Sequence, residues 1–269
     1  MNKLNVKGII FDYGGTLDTR GDHWSEVLWQ AYLRAGTGVE DGKVLNQGRQ
    51  VDKQTFRKAY VYGERALAAN PIVLPTFSFK DVLKAKIYEQ LRFLSRRPLL
   101  HTGKDDAEQQ ESAAFSLTLS DEEWQTLALR IAGYANEETN QVLAENRQVL
   151  EKLREAGFPM VLVSNFYGNI NRVLEDAGIR GYFREIVESA VVGIRKPDPG
   201  IFALGVEALA LPASEVLVVG DTFGKDIVPS HSLGCRTLWL KGLQWEDKPV
   251  DLSLCDGIIH RLDELLAYV

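Results

Sequence analysis

The sequence predicts an α/β protein: a parallel sheet flanked by helices, interrupted after its first strand by a long helical insertion. Three observations carry that expectation. Short, continuous apolar runs rich in β-branched residues occur once near the start and then only beyond residue 158. Such runs suit parallel strands buried on both faces. In the second half, apolar runs and helix-spaced segments alternate, as a doubly wound sheet requires. Residues 19–145 carry helical spacing with no strong strand signal.

The elements follow in order. Val6 to Phe11 forms the first strand, closed by the turn glycines Gly14 and Gly15. Trp24–Ala35, Lys53–Ala69, Phe79–Arg96 and Asp121–Ala135 read as helices. Ser120 and Glu123 make a capping box ahead of the last of these. His101 to Glu111 is polar and reads as a loop, and Asn136–Ala156 reads as a further helix leading back to the sheet. Strands are then expected at Phe158–Val163, Glu215–Val219, Arg236–Leu240 and Gly257–Ile259. The helices between them are Asn169–Ala177, Pro199–Ala210 and Lys225–Leu233. The domain division predicted is 1–18 with 146–269 as the α/β unit and 19–145 as the insertion.

The 269 residues hold 31 Lys and Arg against 37 Asp and Glu, a net charge of −6. That balance disfavours nucleic acid as the main partner, because phosphate neutralisation needs a basic face. No run approaches the ~18 apolar residues of a membrane span. The N-terminal apolar run, Gly8 to Phe11, is too short for a signal peptide and ends on Asp12. Two cysteines, Cys235 and Cys255, make no disulfide framework. A cytoplasmic protein is expected. The four histidines are scattered and lack metal-ligand spacing.

In an open parallel sheet, ligands bind where the strands end. Asp12-Tyr13-Gly14-Gly15-Thr16 follows the first strand, Ser164-Asn165 the next, and Gly220-Asp221 a later one, with Asp226 five residues on. Lys196 sits just before a helix. Carboxylates with other oxygen donors suit a hard cation such as Mg²⁺, and a lysine with a hydroxyl suits a phosphate.

These segments resemble the haloacid dehalogenase (HAD) superfamily, whose four motifs appear in order. They are Asp12-Tyr13-Gly14-Gly15-Thr16-Leu17, Val163-Ser164-Asn165, Lys196-Pro197-Asp198-Pro199-Gly200-Ile201-Phe202 and Val219-Gly220-Asp221-Thr222-Phe223-Gly224-Lys225-Asp226-Ile227. The resemblance spans 1–18 and roughly 150–269, and implies a Rossmann-like core with the helical stretch as a cap of the C1 type. It implies Asp12 as a nucleophile that forms an aspartyl-phosphate. Thr16, Ser164 and the Asn165 amide, at a helix start, would bind the phosphoryl group, with Lys196 balancing its charge. Asp12, the Gly14 carbonyl and Asp221 would hold Mg²⁺, and Asp226 would support the metal or Lys196. The substrate implied is a small phosphorylated molecule; oligomeric state is left open.

One position departs from the family. Its phosphatases carry a second Asp two residues after the nucleophile, as general acid and base, and here Gly14 stands there. Asp18 and His23 could replace that acid, or serve only as a helix-cap region and a solvated turn. Alternatively, Gly14 could answer to a positive φ or to close packing. The resemblance also leaves a phosphonoacetaldehyde hydrolase, whose cap lysine forms a Schiff base; Lys53, Lys58, Lys84 and Lys86 are available. A phosphate-binding regulatory protein with weak catalysis is a further alternative, and Asp221 argues against a dehalogenase. In the helical stretch, Arg92, Arg96 and Arg97 read as a solvated helix end or an anion contact. Trp24, Trp29, Tyr32, Phe56, Tyr60 and Tyr62 read as cap core.

Overall fold

The computed structural model describes residues 3–37, 51–94, 120–245 and 248–269. Six parallel strands form one sheet in the order β3-β2-β1-β4-β5-β6. They are β1 (Gly8–Phe11), β2 (Met160–Ser164), β3 (Glu185–Glu188), β4 (Val216–Gly220), β5 (Arg236–Leu240) and β6 (Gly257–Ile259). The three central strands β1, β2 and β4 are buried along their whole length. Their unbroken apolar sequence is therefore what a sheet covered on both faces demands.

From β1 the chain winds to β2 and β3 on one side and to β4, β5 and β6 on the other. The strand order thus reverses at β1, the place where open α/β sheets bind ligands. Register fixes what gathers there. Phe11 pairs with Leu162 of β2 and with Val219 of β4. The chain leaves β1 at Asp12 beside the end of β4, and the Asp12 N–H donates to the Val219 carbonyl at 3.0 Å.

The helices are α1 (Trp24–Arg34), α2 (Lys53–Ala69), α3 (Phe79–Leu94), α4 (Asp121–Glu155), α5 (Ile170–Asp176), α6 (Ser189–Val192), α7 (Gly200–Leu209) and α8 (Val228–Ser232). A Cβ added to Gly205 of α7 would lie 2.9 Å from Val163 and 3.0 Å from Ile10. Glycine there lets the helix approach the sheet. Ile201, Phe202 and Leu209 complete that core layer with Ile10, Val161, Val163, Val216 and Val218.

Several sequence expectations need revision. Residues 121–155 form one helix rather than two. The capping box at its start is present: the Ser120 N–H donates to Glu123 Oε2 at 2.8 Å and the Glu123 N–H to Ser120 Oγ at 3.3 Å. β3 was not anticipated. The expected helix over 225–233 is a wide π-helical turn, Phe223–Ile227, running into α8. Arg96, Arg97 and the expected loop from His101 to Glu111 lie outside the described residues.

The chain divides into two compact units, Met1–Glu26 with Glu138–Val269, and Val27–Glu137. In the second, Trp29, Tyr32 and Phe56 are fully buried, and the Phe56 ring lies 5.3 Å from Trp29 and 5.0 Å from Tyr32, centre to centre. These aromatics and the buried Tyr60 are core, as expected, whereas Tyr62 is only half-buried and Trp24, also half-buried, belongs to the first unit. Arg92 donates to Glu89 at 3.0 Å on its own helix.

Candidate active site

The site is built from strand ends. Asp12 follows β1, Asp221 follows β4, and Asp226 sits in the π-helical turn, while Lys196 lies in the segment before α7. All four side chains are buried. Lys196 Nζ donates to Asp12 Oδ1 at 2.5 Å and to Asp226 Oδ1 at 2.8 Å. Thr16 Oγ1 donates to the other Asp12 oxygen at 3.2 Å and lies 3.5 Å from Asp221 Oδ1. Thr222 supports both later aspartates: its N–H donates to Asp226 Oδ2 at 3.0 Å, and its hydroxyl to Asp221 Oδ2 at 3.2 Å.

Two glycines permit this crowding. A Cβ on Gly15 would stand 2.4 Å from the Asp221 carboxylate, and one on Gly220 would stand 2.3 Å from Asp226 Cβ. Gly15 also has φ of +97°, which an L side chain rarely adopts. Gly14 differs. Its φ is not positive, and the nearest atoms to an added Cβ are Trp24 Cδ1 and Nε1, both at 3.9 Å. Neither backbone conformation nor packing therefore requires glycine at position 14.

The electrostatics are unbalanced. One oxygen each from Asp12, Asp221 and Asp226 lie within 4.8 Å of one another. Three carboxylates thus face one ammonium. Burial pushes the Asp12 carboxyl up to about 6, although the Lys196 charge pulls it down. Asp221 is driven well above the carboxylate range by burial and then by the charges of Asp12 and Asp226. Burial also disfavours the Lys196 ammonium, but the same two aspartates outweigh it and hold its pKa above the ordinary lysine value. A divalent cation would neutralise the excess, and an oxygen-only donor set is what Mg²⁺ or Ca²⁺ takes. The residues present therefore fit a bound metal.

Ser164 is buried at the end of β2. Asn165 is tied to the lysine segment: the Lys196 N–H donates to its Oδ1 at 2.9 Å, and its Nδ2 donates to the Lys196 carbonyl at 3.1 Å. The expected helix start at Asn165 is corrected, since α5 begins five residues later. Glu188 at the end of β3 occupies that terminus, where its Oε1 accepts from the Gly168 N–H at 2.6 Å.

Of the two candidate replacement acids, His23 caps the start of α1 as the helix-cap reading expected, and Asp18 is buried. Asp18 is 1% exposed, so it is no solvated turn. The Gly15 N–H donates to its Oδ1 at 2.7 Å and Trp24 Nε1 to its Oδ2 at 3.0 Å. Burial pushes its carboxyl up to about 8 against those hydrogen bonds. His23 is half-buried; its Nδ1 lies 2.9 Å from Ser25 Oγ and accepts from the Ser25 N–H at 3.2 Å. Its ring meets Trp245 edge-on at 5.4 Å. Of the four lysines considered for a Schiff base, Lys86 alone is buried, and its Nζ lies 2.6 Å from Glu64 Oε1. Thr222 escaped the sequence reading, because a motif position beside an aspartate says nothing of which carboxylate its amide serves.

The fold and the aspartate cluster at the switch point define a hydrolase class. The family model of the haloacid dehalogenase-like hydrolases matches residues 6–229, and the chain belongs to that family. It is 32% identical over 134 residues to haloacid dehalogenase-like hydrolase domain-containing protein 3 of Danio rerio, covering 50% of this chain and 55% of that protein. It is likewise 32% identical over 124 residues to a phosphoglycolate phosphatase of Vibrio parahaemolyticus, covering 46% and 54%. The chain thus spans about half the length of the curated relatives it matches. Among solved structures, the putative HAD-hydrolase YfnB of Bacillus subtilis superposes with a TM-score of 0.54 at 17% identity, covering 98% of both chains. That likeness concerns the fold. Among the described residues, no helix is long and apolar enough to cross a membrane.

Proposed function

We propose that the chain is a Mg²⁺-dependent hydrolase of a small phosphorylated metabolite, acting through an aspartyl-phosphate on Asp12, with no general acid at position 14. The observation that carries this reading is the Asp12 carboxylate itself. It is buried, held by Lys196 at one oxygen and by Thr16 at the other, and backed by Asp221. Orientation of that kind prepares a carboxylate for in-line attack.

Asp12 would attack phosphorus with a carboxylate lone pair, forming an O–P bond as the ester O–P bond breaks. Thr16, Ser164 and the Asn165 amide would donate to the phosphoryl oxygens, and Lys196 would offset their charge. Mg²⁺ would be held by Asp12, Asp221 and the Gly14 carbonyl, with Asp226 supporting it through Lys196; when bound, it supplies further neutralisation of the phosphoryl oxygens. The departing oxygen would leave as an anion or take its proton from water, since Gly14 offers none. Water would then cleave the aspartyl-phosphate, regenerating Asp12 and releasing phosphate.

The names of relatives support a small phosphorylated substrate: phosphoglycolate phosphatase and, at 32% identity over 120 residues, the phosphoserine phosphatase of Thermus thermophilus. The net charge of −6 disfavours nucleic acid. We read Val27–Glu137 as the family's inserted cap, and free Cys235 and Cys255 as consistent with the cytoplasm. The test is a panel of phosphate esters plus phosphonoacetaldehyde, with Mg²⁺ or with EDTA. Turnover that needs Mg²⁺ and favours good leaving groups is expected. Turnover unchanged by EDTA would overturn the metal reading. Stabilisation by Mg²⁺ and beryllium fluoride with no ester cleaved would instead make the protein a phosphate-binding regulator.

A further inference from the structure

The hydrogen bonds around Gly14 assign work to a residue outside the family motifs. Gly14 and Gly15 are joined by a planar trans peptide, whose N–H and carbonyl point in opposite directions. The N–H edge of that plane belongs to Asp18, which accepts from Gly15 N at 2.7 Å. Next along the chain, the Gly15 carbonyl accepts from Thr19 Oγ1 at 2.7 Å and from the Gly21 N–H at 3.0 Å. Gly15 Cα is pressed against the Asp221 carboxylate, where a Cβ would stand at 2.4 Å. The turn is thus fixed on three sides. Asp18 in turn is held by Trp24, whose indole N–H donates to its second oxygen at 3.0 Å.

We propose that Asp18 is a positioning residue for the metal: held by Trp24 at one side-chain oxygen, it fixes the Gly14–Gly15 peptide with the other and so presents the Gly14 carbonyl as a ligand. This rests on the Mg²⁺ reading above. The geometry favours it over a role for Asp18 as the replacement acid. A general acid must aim an O–H at the departing oxygen, whereas both Asp18 oxygens already accept from fixed N–H donors and the side chain is 1% exposed. Trp24 serves two purposes here, because the same indole lines the space beside Gly14. Partners that orient metal ligands are typically worth 10–100-fold in affinity.

The experiment measures Mg²⁺ binding to the full chain by calorimetry without substrate, and exchange of the Gly15 amide by NMR. Asp18→Asn cannot accept from both donors in its native orientation. It should weaken Mg²⁺ binding about 10-fold or more and speed Gly15 exchange. Trp24→Phe keeps an aromatic ring but removes the indole N–H; it should weaken Mg²⁺ binding by about threefold, with melting temperature as the folding control. Mg²⁺ affinity within twofold of wild type in either folded variant overturns the proposal and leaves the hydrolase reading intact. Unchanged affinity with lost turnover, and one limb missing from the kcat–pH profile, would make Asp18 the acid instead. Where Asp18→Asn fails to fold, Trp24→Phe decides by the same criterion. A wild type that binds no Mg²⁺ overturns both readings, whereas a wild type that binds Mg²⁺ without cleaving esters overturns only the hydrolase.

Discussion

At the ends of β1 and β4, three buried aspartates share one lysine; between α2 and α3, one buried lysine meets one glutamate. Both places bury charge, which costs free energy unless it is compensated. In the helical unit the buried ammonium has a carboxylate at hand, with Lys86 Nζ 2.6 Å from a Glu64 that is itself a third exposed. In the sheet unit the carboxylates outnumber the ammonium: burial pushes Asp12 up to about 6 and Asp221 well above the carboxylate range, even with Lys196 between Asp12 and Asp226. A matched, one-to-one pair leaves no excess of either sign. An unmatched cluster is a stored electrostatic demand, and such demands gather where chemistry is done.

Breaking the unmatched cluster should have the largest effect. Asp12→Asn removes the nucleophile and is expected to abolish ester turnover while the protein still melts cooperatively. It also removes one negative charge from a cluster with too many, so metal-free Asp12→Asn should melt at or above wild type. Near wild-type turnover in that variant would end the covalent mechanism.

Adding a carboxylate where the family's phosphatases have one sharpens the contrast. At Gly14, φ is not positive and the nearest neighbours of a Cβ are Trp24 atoms at 3.9 Å, so Gly14→Asp should fold. Wild type should cleave p-nitrophenyl phosphate far better than alkyl phosphates. Gly14→Asp should regain on alkyl phosphates part of the ~10²–10⁴-fold that general acid–base catalysis supplies. A well-folded variant with no gain, beside a wild type already fast on alkyl phosphates, would show that another group supplies the proton.

The unmatched cluster also sets a pH dependence. A carboxyl whose folded pKa is raised binds protons more tightly folded than unfolded. Its favourable contribution is complete below the unfolded value of 3.8 and is lost as pH rises through the folded value, about 6 for Asp12 in the cluster; Asp18, buried beside the cluster, carries the same trend up to about 8. Melting temperature without metal should therefore fall from pH 4 to pH 8. Mg²⁺ favours the ionised carboxylates, so its stabilisation should grow over the same range. A metal-free melting temperature that is flat or rising there would contradict the charge imbalance.

The two regions differed as much in how far they could be read from sequence. β1, β4 and β5 announce themselves as apolar runs, and four short motifs placed Asp12, Lys196, Asp221 and Asp226 together because each follows or precedes a legible element. β3 escaped because Glu185-Ile186-Val187-Glu188 is an edge strand, charged at both ends and exposed where it starts. The helix over 121–155 looked like two because Gly133 and a polar stretch interrupt its pattern; no neighbour would lie within 4 Å of a Cβ on Gly133, so packing says nothing there. Asp18 was visible as a candidate but not as a hydrogen-bond partner of Gly15 and Trp24, since those contacts depend on how the turn closes. In the helical unit, spacing revealed the aromatic core yet could not show which lysine would find an acid.

The smallest effect should come from the matched pair, and it decides the Schiff-base alternative. A lysine that condenses with a carbonyl must present a neutral amine, whereas an adjacent carboxylate favours the ammonium. Lys86→Met removes the charge and keeps most of the apolar stem. Glu64 is exposed enough to turn to water, so the loss should stay near 1–2 kcal/mol, below the 3–5 of a fully buried pair. It should appear as a melting temperature lower by a few degrees. Turnover of phosphate esters should not change. Borohydride added with phosphonoacetaldehyde should leave wild-type Lys86 unlabelled by mass spectrometry. Trapping at Lys86 in wild type, with phosphonoacetaldehyde cleavage lost in Lys86→Met, would show that the matched pair is a resting state of a reactive amine, and would move the chemistry from phosphate esters to the carbon–phosphorus bond.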